Sequence, residues 1–187
     1  SLKPGIYTIV LQWVDNNYSA GQTTGTQNDL DIFLTNNSGV TLFGFNRNNR
    51  EGDPIEVLPF VVTDTTQTNI LITRASGTEN VKFKYIIFRG EGTIEEFRSE
   101  DSSTIVGHAN TEEAITVGAV RYYRANTPGF TPPVIESFSS IGGTSKKDAS
   151  DIWTPPLSKP DFTAPNGVNT SVNLGAILEP EGDGIPN

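Results

Sequence analysis

Ile6-Tyr-Thr-Ile-Val-Leu-Gln-Trp-Val14 decides the fold class of the first half of this chain. Tyr7, Ile9, Leu11 and Trp13 fall on one side, with Thr8 and Gln12 on the other. That is the period of a half-buried β-strand, in which successive side chains point to opposite faces. Leu30-Asp-Ile-Phe-Leu34 repeats the pattern with Leu30, Ile32 and Leu34 inward. Further strands are expected at residues 40–45, 55–62, 69–74 and 81–88. Asn36-Asn-Ser-Gly39, Gly52-Asp-Pro54 and Ala75-Ser-Gly77 lie between them, and these are the residue types that turns select. Strands at roughly ten-residue spacing with such turns predict an antiparallel, jelly-roll-like β-sandwich over residues 1–90. Residues 16–28 read as a polar, glycine-bearing loop.

The second half differs in kind. Residues 115–120 read as a buried strand and 134–138 as a short one. Pro128, Pro132-Pro133, Gly142-Gly143, Pro155-Pro156, Pro160 and Pro165 make the rest turn-rich. No segment sustains the apolar period of a helix, so little helix is expected beyond one short turn at Glu112-Glu113. The acidic, polar residues 90–103 mark the boundary between the two halves. A region with so few amphipathic elements struggles to build a self-sufficient core. Residues 91–187 are therefore expected to be an irregular slice of a larger α/β domain, leaning on neighbours for order, and the chain as a whole is expected to be mainly β.

The formal charge is −9, and it is unevenly placed: residues 1–90 hold 7 basic and 8 acidic side chains, residues 91–187 hold 6 and 14. Surplus acid argues against a nucleic-acid partner, whose phosphates need the opposite sign. No apolar run approaches the roughly 18 residues of a membrane span, so no membrane partner is expected. The absence of cysteine removes disulfides, zinc–thiolate sites and thiol nucleophiles together. With a single histidine as well, a metal-dependent enzyme would have to rely on carboxylates, and no paired spacing for one appears.

Four runs in the second half carry a resemblance. They are Gly107-His-Ala-Asn110, Ala114-Ile-Thr-Val-Gly-Ala-Val120, Glu136-Ser-Phe-Ser-Ser-Ile-Gly-Gly-Thr144 and Lys159-Pro-Asp-Phe-Thr-Ala-Pro-Asn-Gly-Val-Asn-Thr170. In that order they resemble the catalytic-domain core of the subtilisin-like serine proteases, the subtilases. The resemblance implies an α/β fold with a mainly parallel sheet and an Asp–His–Ser triad with an oxyanion-hole Asn. None of those four signatures is in this chain: no His-Gly-Thr and no Gly-Thr-Ser-small-small-x-Pro occurs. Gly143-Thr144-Ser145 copies three letters of the nucleophile motif, but Lys146-Lys147 follow where small residues are needed. It is read as a surface turn. The expectation is a piece of a protease that cannot itself cut, whose parent acts on peptide or protein substrates outside the cell or in the bacterial cell envelope. The missing remainder of the catalytic domain is then a partner. His108 stands outside the catalytic motif; by the resemblance, Gly107, His108 and Ala109 line the wall of the substrate's specificity pocket. The bland reading of His108 is an ordinary loop histidine. Pro160 and Pro165 bar helix, and Asp161 is expected to accept backbone hydrogen bonds.

Trp13 on the first long strand and Asn28-Asp-Leu-Asp31 resemble, more weakly, the bacterial pre-peptidase C-terminal modules found inserted in some subtilases. Asp29 and Asp31 share a strand face and Asp15 approaches from the end of the first strand, a set of oxygens that suits Ca²⁺. The same pattern also describes a solvated strand face. Glu181-Gly-Asp-Gly-Ile-Pro-Asn187 resembles a calcium loop, although in the subtilase reading it is the run-in to the nucleophile. Tyr18, Phe43 and Phe45 are expected to be exposed and to contribute to a recognition surface. A reading of another class is a secreted binding or adhesion module built on a calcium-stabilised sandwich.

Overall fold

The computed structural model describes residues 1–16, 24–78, 80–96, 103–122, 133–145, 147 and 152–167. Tyr18 and the 181–187 loop lie outside them. The fold is mainly β, with antiparallel sheets and, among the described residues, a single 3-10 turn for helix. The chain divides into two compact units, Ser1–Arg98 and Ser99–Asn187.

In the first unit β1 (Gly5–Trp13) is central. It pairs antiparallel with β4 (Ile55–Val62) on one side and β6 (Phe83–Phe88) on the other. A second three-stranded sheet places β2 (Asp29–Thr35) between β3 (Thr41–Phe45) and β5 (Asn69–Ser76). Both central strands follow from alternation. Tyr7, Ile9, Leu11 and Trp13 of β1 are buried, as are Leu30, Ile32 and Leu34 of β2 and Leu58, Phe60 and Val62 of β4, and together with Leu2 they form one hydrophobic cluster. Pro59 lies opposite Thr8 on β4, an outer strand of its sheet, where a residue without an N–H is tolerated.

Phe43 and Phe45 are not free for recognition. Both pack against the cluster, and the Phe43 ring lies 4.9 Å from that of Phe60. Gly90 closes the unit in the left-handed region, at φ +63°, where a Cβ would stand 2.3 Å from the Tyr7 ring. That close approach lets the Tyr7 hydroxyl reach the carbonyl oxygens of Lys3 and Glu91.

The second unit contains one parallel pair, β7 (Val117–Arg121) with β8 (Phe162–Asn166), in the register Val117–Phe162 to Arg121–Asn166. Residues 134–138 do not form the expected strand. They make a single bridge, Ile135 to Val120, and then turn, the Ser139 N–H donating to the Glu136 carbonyl. The helical turn falls at Gly107–Asn110 rather than at Glu112-Glu113, and its first residue, Gly107, takes a left-handed φ of +60° that glycine tolerates. No helix among the described residues is long and apolar enough to cross a membrane.

Candidate functional site

In the second unit the four motif runs are tied to one another by polar contacts. Asp161 accepts the Thr116 N–H at 2.7 Å, and its own N–H returns to the Thr116 carbonyl at 2.9 Å. Lys159, buried, donates through Nζ to Asp161 at 2.9 Å and to the Ala114 carbonyl at 2.5 Å. These bonds, that from Lys159 first and that from the Thr116 amide next, hold the Asp161 carboxyl below its usual range. The Ser139 hydroxyl accepts the Ala119 N–H at 3.0 Å. Gly118 passes so close to Pro160 and Ser139 that a Cβ would meet Pro160 at 2.9 Å. Asn110 Oδ1 accepts the Thr144 N–H at 2.9 Å. Gly143 and Ser145 are buried rather than forming a surface turn; a Cβ on Gly143 would stand 2.4 Å from the Leu157 carbonyl oxygen.

A groove of about 350 Å³ opens in this unit, with Ala109, Thr116, Val117, Phe138, Ser139 and Pro160 in its lining. Of the three residues expected along a substrate pocket, Ala109 lines it. Gly107 and His108 are exposed on the 3-10 turn and do not. Its described lining offers hydroxyls and apolar walls, and no base–nucleophile pair stands among those residues.

In the first unit the three expected metal residues have unequal surroundings. Asp15 is engaged by the protein itself. Its Oδ2 accepts from the Thr26 hydroxyl, the Gln27 and Asn28 amides and the Asn28 side chain, and its Oδ1 from the Asn16 amide. Burial pushes the Asp15 carboxyl up, but bonds from Thr26, Asn28 and Asn16 outweigh it and the net shift is downward. Thr26 passes the network on, accepting the Trp13 indole N–H at 3.1 Å. Asp29 Oδ1 accepts the Asn49 amide at 3.0 Å. Asp31 is more than nine-tenths buried and its Oδ1 has no partner. Burial pushes its carboxyl up, the neighbouring Asp29 charge adds to this, and the Thr73 hydroxyl opposes it.

Sequence reasoning passed over Glu56. It is 0% exposed, and neither of its carboxylate oxygens has a hydrogen-bond partner. Burial pushes its pKa to about 7; the Arg47 charge opposes this, and those of Asp31 and Asp29 add to it. The signal was in the strand: in Ile55-Glu-Val-Leu-Pro-Phe-Val-Val62, alternation sets Glu56 on the inward face with Leu58 and Phe60. Among the described residues no three of His, Cys, Asp and Glu stand together as a metal-binding group.

Comparison with protein-family models, curated proteins and solved structures finds no match to this chain.

Proposed function

We propose that this chain is a non-catalytic part of a secreted subtilisin-like serine endopeptidase, a β-sandwich accessory module followed by a slice of the α/β catalytic scaffold. The observation that carries the reading is the parallel pairing of Val117–Arg121 with Phe162–Asn166. A parallel pair demands a long crossover and normally sits inside an α/β sheet covered on both faces. Here both strands come from runs that resemble the subtilase core, and they are braced by Ser139 of a third such run and by Lys159 and Asp161 just ahead of β8. The exposure of Ile115, Phe138, Ile152 and Phe162 fits a surface that the remainder of such a domain covers.

In the parent, Ser attacks the peptide carbonyl and His carries the proton, both supplied by the rest of the domain. Ala109 and the groove it lines then hold a substrate side chain, and the first unit positions or recruits substrate. This chain alone hydrolyses nothing. A calcium-stabilised binding or adhesion module is the second reading, favoured by the buried oxygens of Asn28, Asp31, Asn49 and Glu56 that lack hydrogen-bond partners.

Sequencing the encoding gene on both sides of this segment, followed by a casein-hydrolysis assay of the full product, tests the proposal. A His-Gly-Thr motif before it, a Gly-Thr-Ser-small-small-x-Pro motif after it, and hydrolysis lost on changing that Ser to Ala are expected. A product without either motif and without hydrolysis overturns the protease reading.

A further inference from the structure

The outer face of the β4–β1–β6 sheet is apolar. With Tyr7, Ile9 and Leu11 of β1 in the core, Ile6, Thr8, Val10 and Gln12 point the other way. The antiparallel register sets a row of neighbours beside each of them. Val57 and Ile86 flank Val10, Pro59 and Phe88 flank Thr8, and Val61 lies beside Ile6. The sole charged side chain in these rows is Lys84, at the end of the face with Ile55 and Gln12. An antiparallel sheet with one face on a core ordinarily carries polar residues on the other. The β3–β2–β5 sheet keeps such pairs on its outer face, Asp31 opposite Thr73 and Thr35 opposite Asn69. The β4–β1–β6 sheet departs from the rule over nearly its whole length.

The size of the patch says what would cover it. Ile6 is 59% exposed, Val61 57%, Phe88 49% and Val57 40%. With their partly exposed neighbours they offer on the order of 600 Å² of mostly apolar surface, at the top of what a monomer leaves open. A specific interface needs about 1,200 Å² in total, and two such faces supply it. Charge favours a second copy of this chain as the occupant. A formal charge of −9 makes two copies repel over most of their surfaces, yet no acidic side chain stands in these rows. A two-fold axis that sets the strands of two copies antiparallel also carries their Lys84 residues to opposite ends. The rows are rich in β-branched side chains, the kind that interdigitate when two sheets pack about 10 Å apart.

We propose that two copies of this chain pair through the outer face of β4–β1–β6, with Val10 and the residues flanking it at the centre. The pairing is isologous, each copy offering the same rows to the other. It concerns the first unit only and stands whether or not the chain belongs to a protease.

The test is sedimentation velocity of the full chain from about 1 to about 200 μM, where an interface of this modest size dissociates. The wild type is expected to pass from the 20.2 kDa monomer toward twice that mass as concentration rises. Val57→Lys sets a charge beside Val10 in both copies and should weaken the dimer by at least about tenfold. Val61→Lys, at a more exposed position on the same strand, takes its place if Val57→Lys fails to fold. Leu71→Lys, on β5 of the other sheet and 44% exposed, should dimerise as the wild type does. A wild type that stays monomeric throughout overturns the proposal. So does a dimer that survives Val57→Lys or Val61→Lys, since it is then made elsewhere, or one that Leu71→Lys weakens equally.

Discussion

The two units of this chain are held together by different physics. In the first, Tyr7, Ile9, Leu11, Ile32 and Leu34 are each almost wholly removed from water and share one cluster drawn from both three-stranded sheets. In the second, the buried apolar side chains among the described residues are Ile105 and Val120. The motif runs there are tied instead by Lys159, Asp161, Ser139 and Asn110. Burial of apolar area supplies most of the stability of a domain, whereas a hydrogen bond exchanged with water supplies about 1 kcal/mol. Among the described residues the first unit therefore carries the larger apolar core, whereas Phe138 and Phe162 beside the parallel pair stay exposed.

The largest effect that would sharpen this contrast comes from the core. Leu11→Ala is expected to cost about 2–5 kcal/mol through lost transfer energy and the cavity left behind. Denaturant unfolding followed by Trp13 fluorescence in a Trp153→Phe background should show the loss in the first unit, with amide signals of Thr116 and Ala119 unchanged. A loss spread evenly over both units would break the comparison.

Next in size is the titration of Glu56 in the metal-free chain. Its folded pKa is raised to about 7 from an ordinary carboxyl value of 4.5, so the folded state binds the proton more tightly. Its contribution is full below the ordinary value and is lost as pH rises from there through about 7. The loss amounts to up to about 3 kcal/mol. Unfolding midpoints measured across that window should fall with pH in the wild type and stay nearly level in Glu56→Gln.

Two glycines compare the units at similar backbone geometry. Gly90→Ala places a Cβ against the Tyr7 ring at a left-handed φ, whereas Gly107→Ala meets nothing within 4 Å at nearly the same φ. Backbone strain alone is about 1–2 kcal/mol, so Gly107→Ala should cost that much locally and Gly90→Ala more. Equal midpoints for the two variants would contradict the close packing of the first unit.

The smallest effect belongs to Asp161. Its carboxyl is held below the ordinary value by Lys159 and the Thr116 amide. The stability it lends is therefore present above that ordinary value and is lost as pH falls through the depressed one. Exchange of the Thr116 amide should quicken on acidification relative to its intrinsic rate, and Asp161→Asn should give the faster relative rate already at neutral pH.

Much of the first unit was legible because its information is local. The alternation in residues 6–14 and 55–62 gave β1 nearly to its ends and β4 to the residue. Phe43 and Phe45 were misjudged because a five-residue strand with Leu42 and Gly44 between them does not say which face is inward; Phe60, across the cluster, settles it. β8 escaped notice because Pro165 in Phe-Thr-Ala-Pro-Asn speaks against a strand, and only pairing with β7, some forty-five residues earlier, makes one. The protein donors that surround Asp15 were not legible, because they lie in a turn whose path no periodicity reveals. Glu56 was legible in the alternation of its strand, but a charged residue at an inward position is easily taken for a flaw in the pattern.

Amide hydrogen exchange on the full chain tests the contrast between the units most directly. The account predicts slow, cooperative exchange at Ile9, Leu11 and Ile32, set by global unfolding of the first unit, and exchange at Ala119 and Val120 at least about tenfold faster. Equal protection of β7 and β1, or faster exchange in β1, would contradict it.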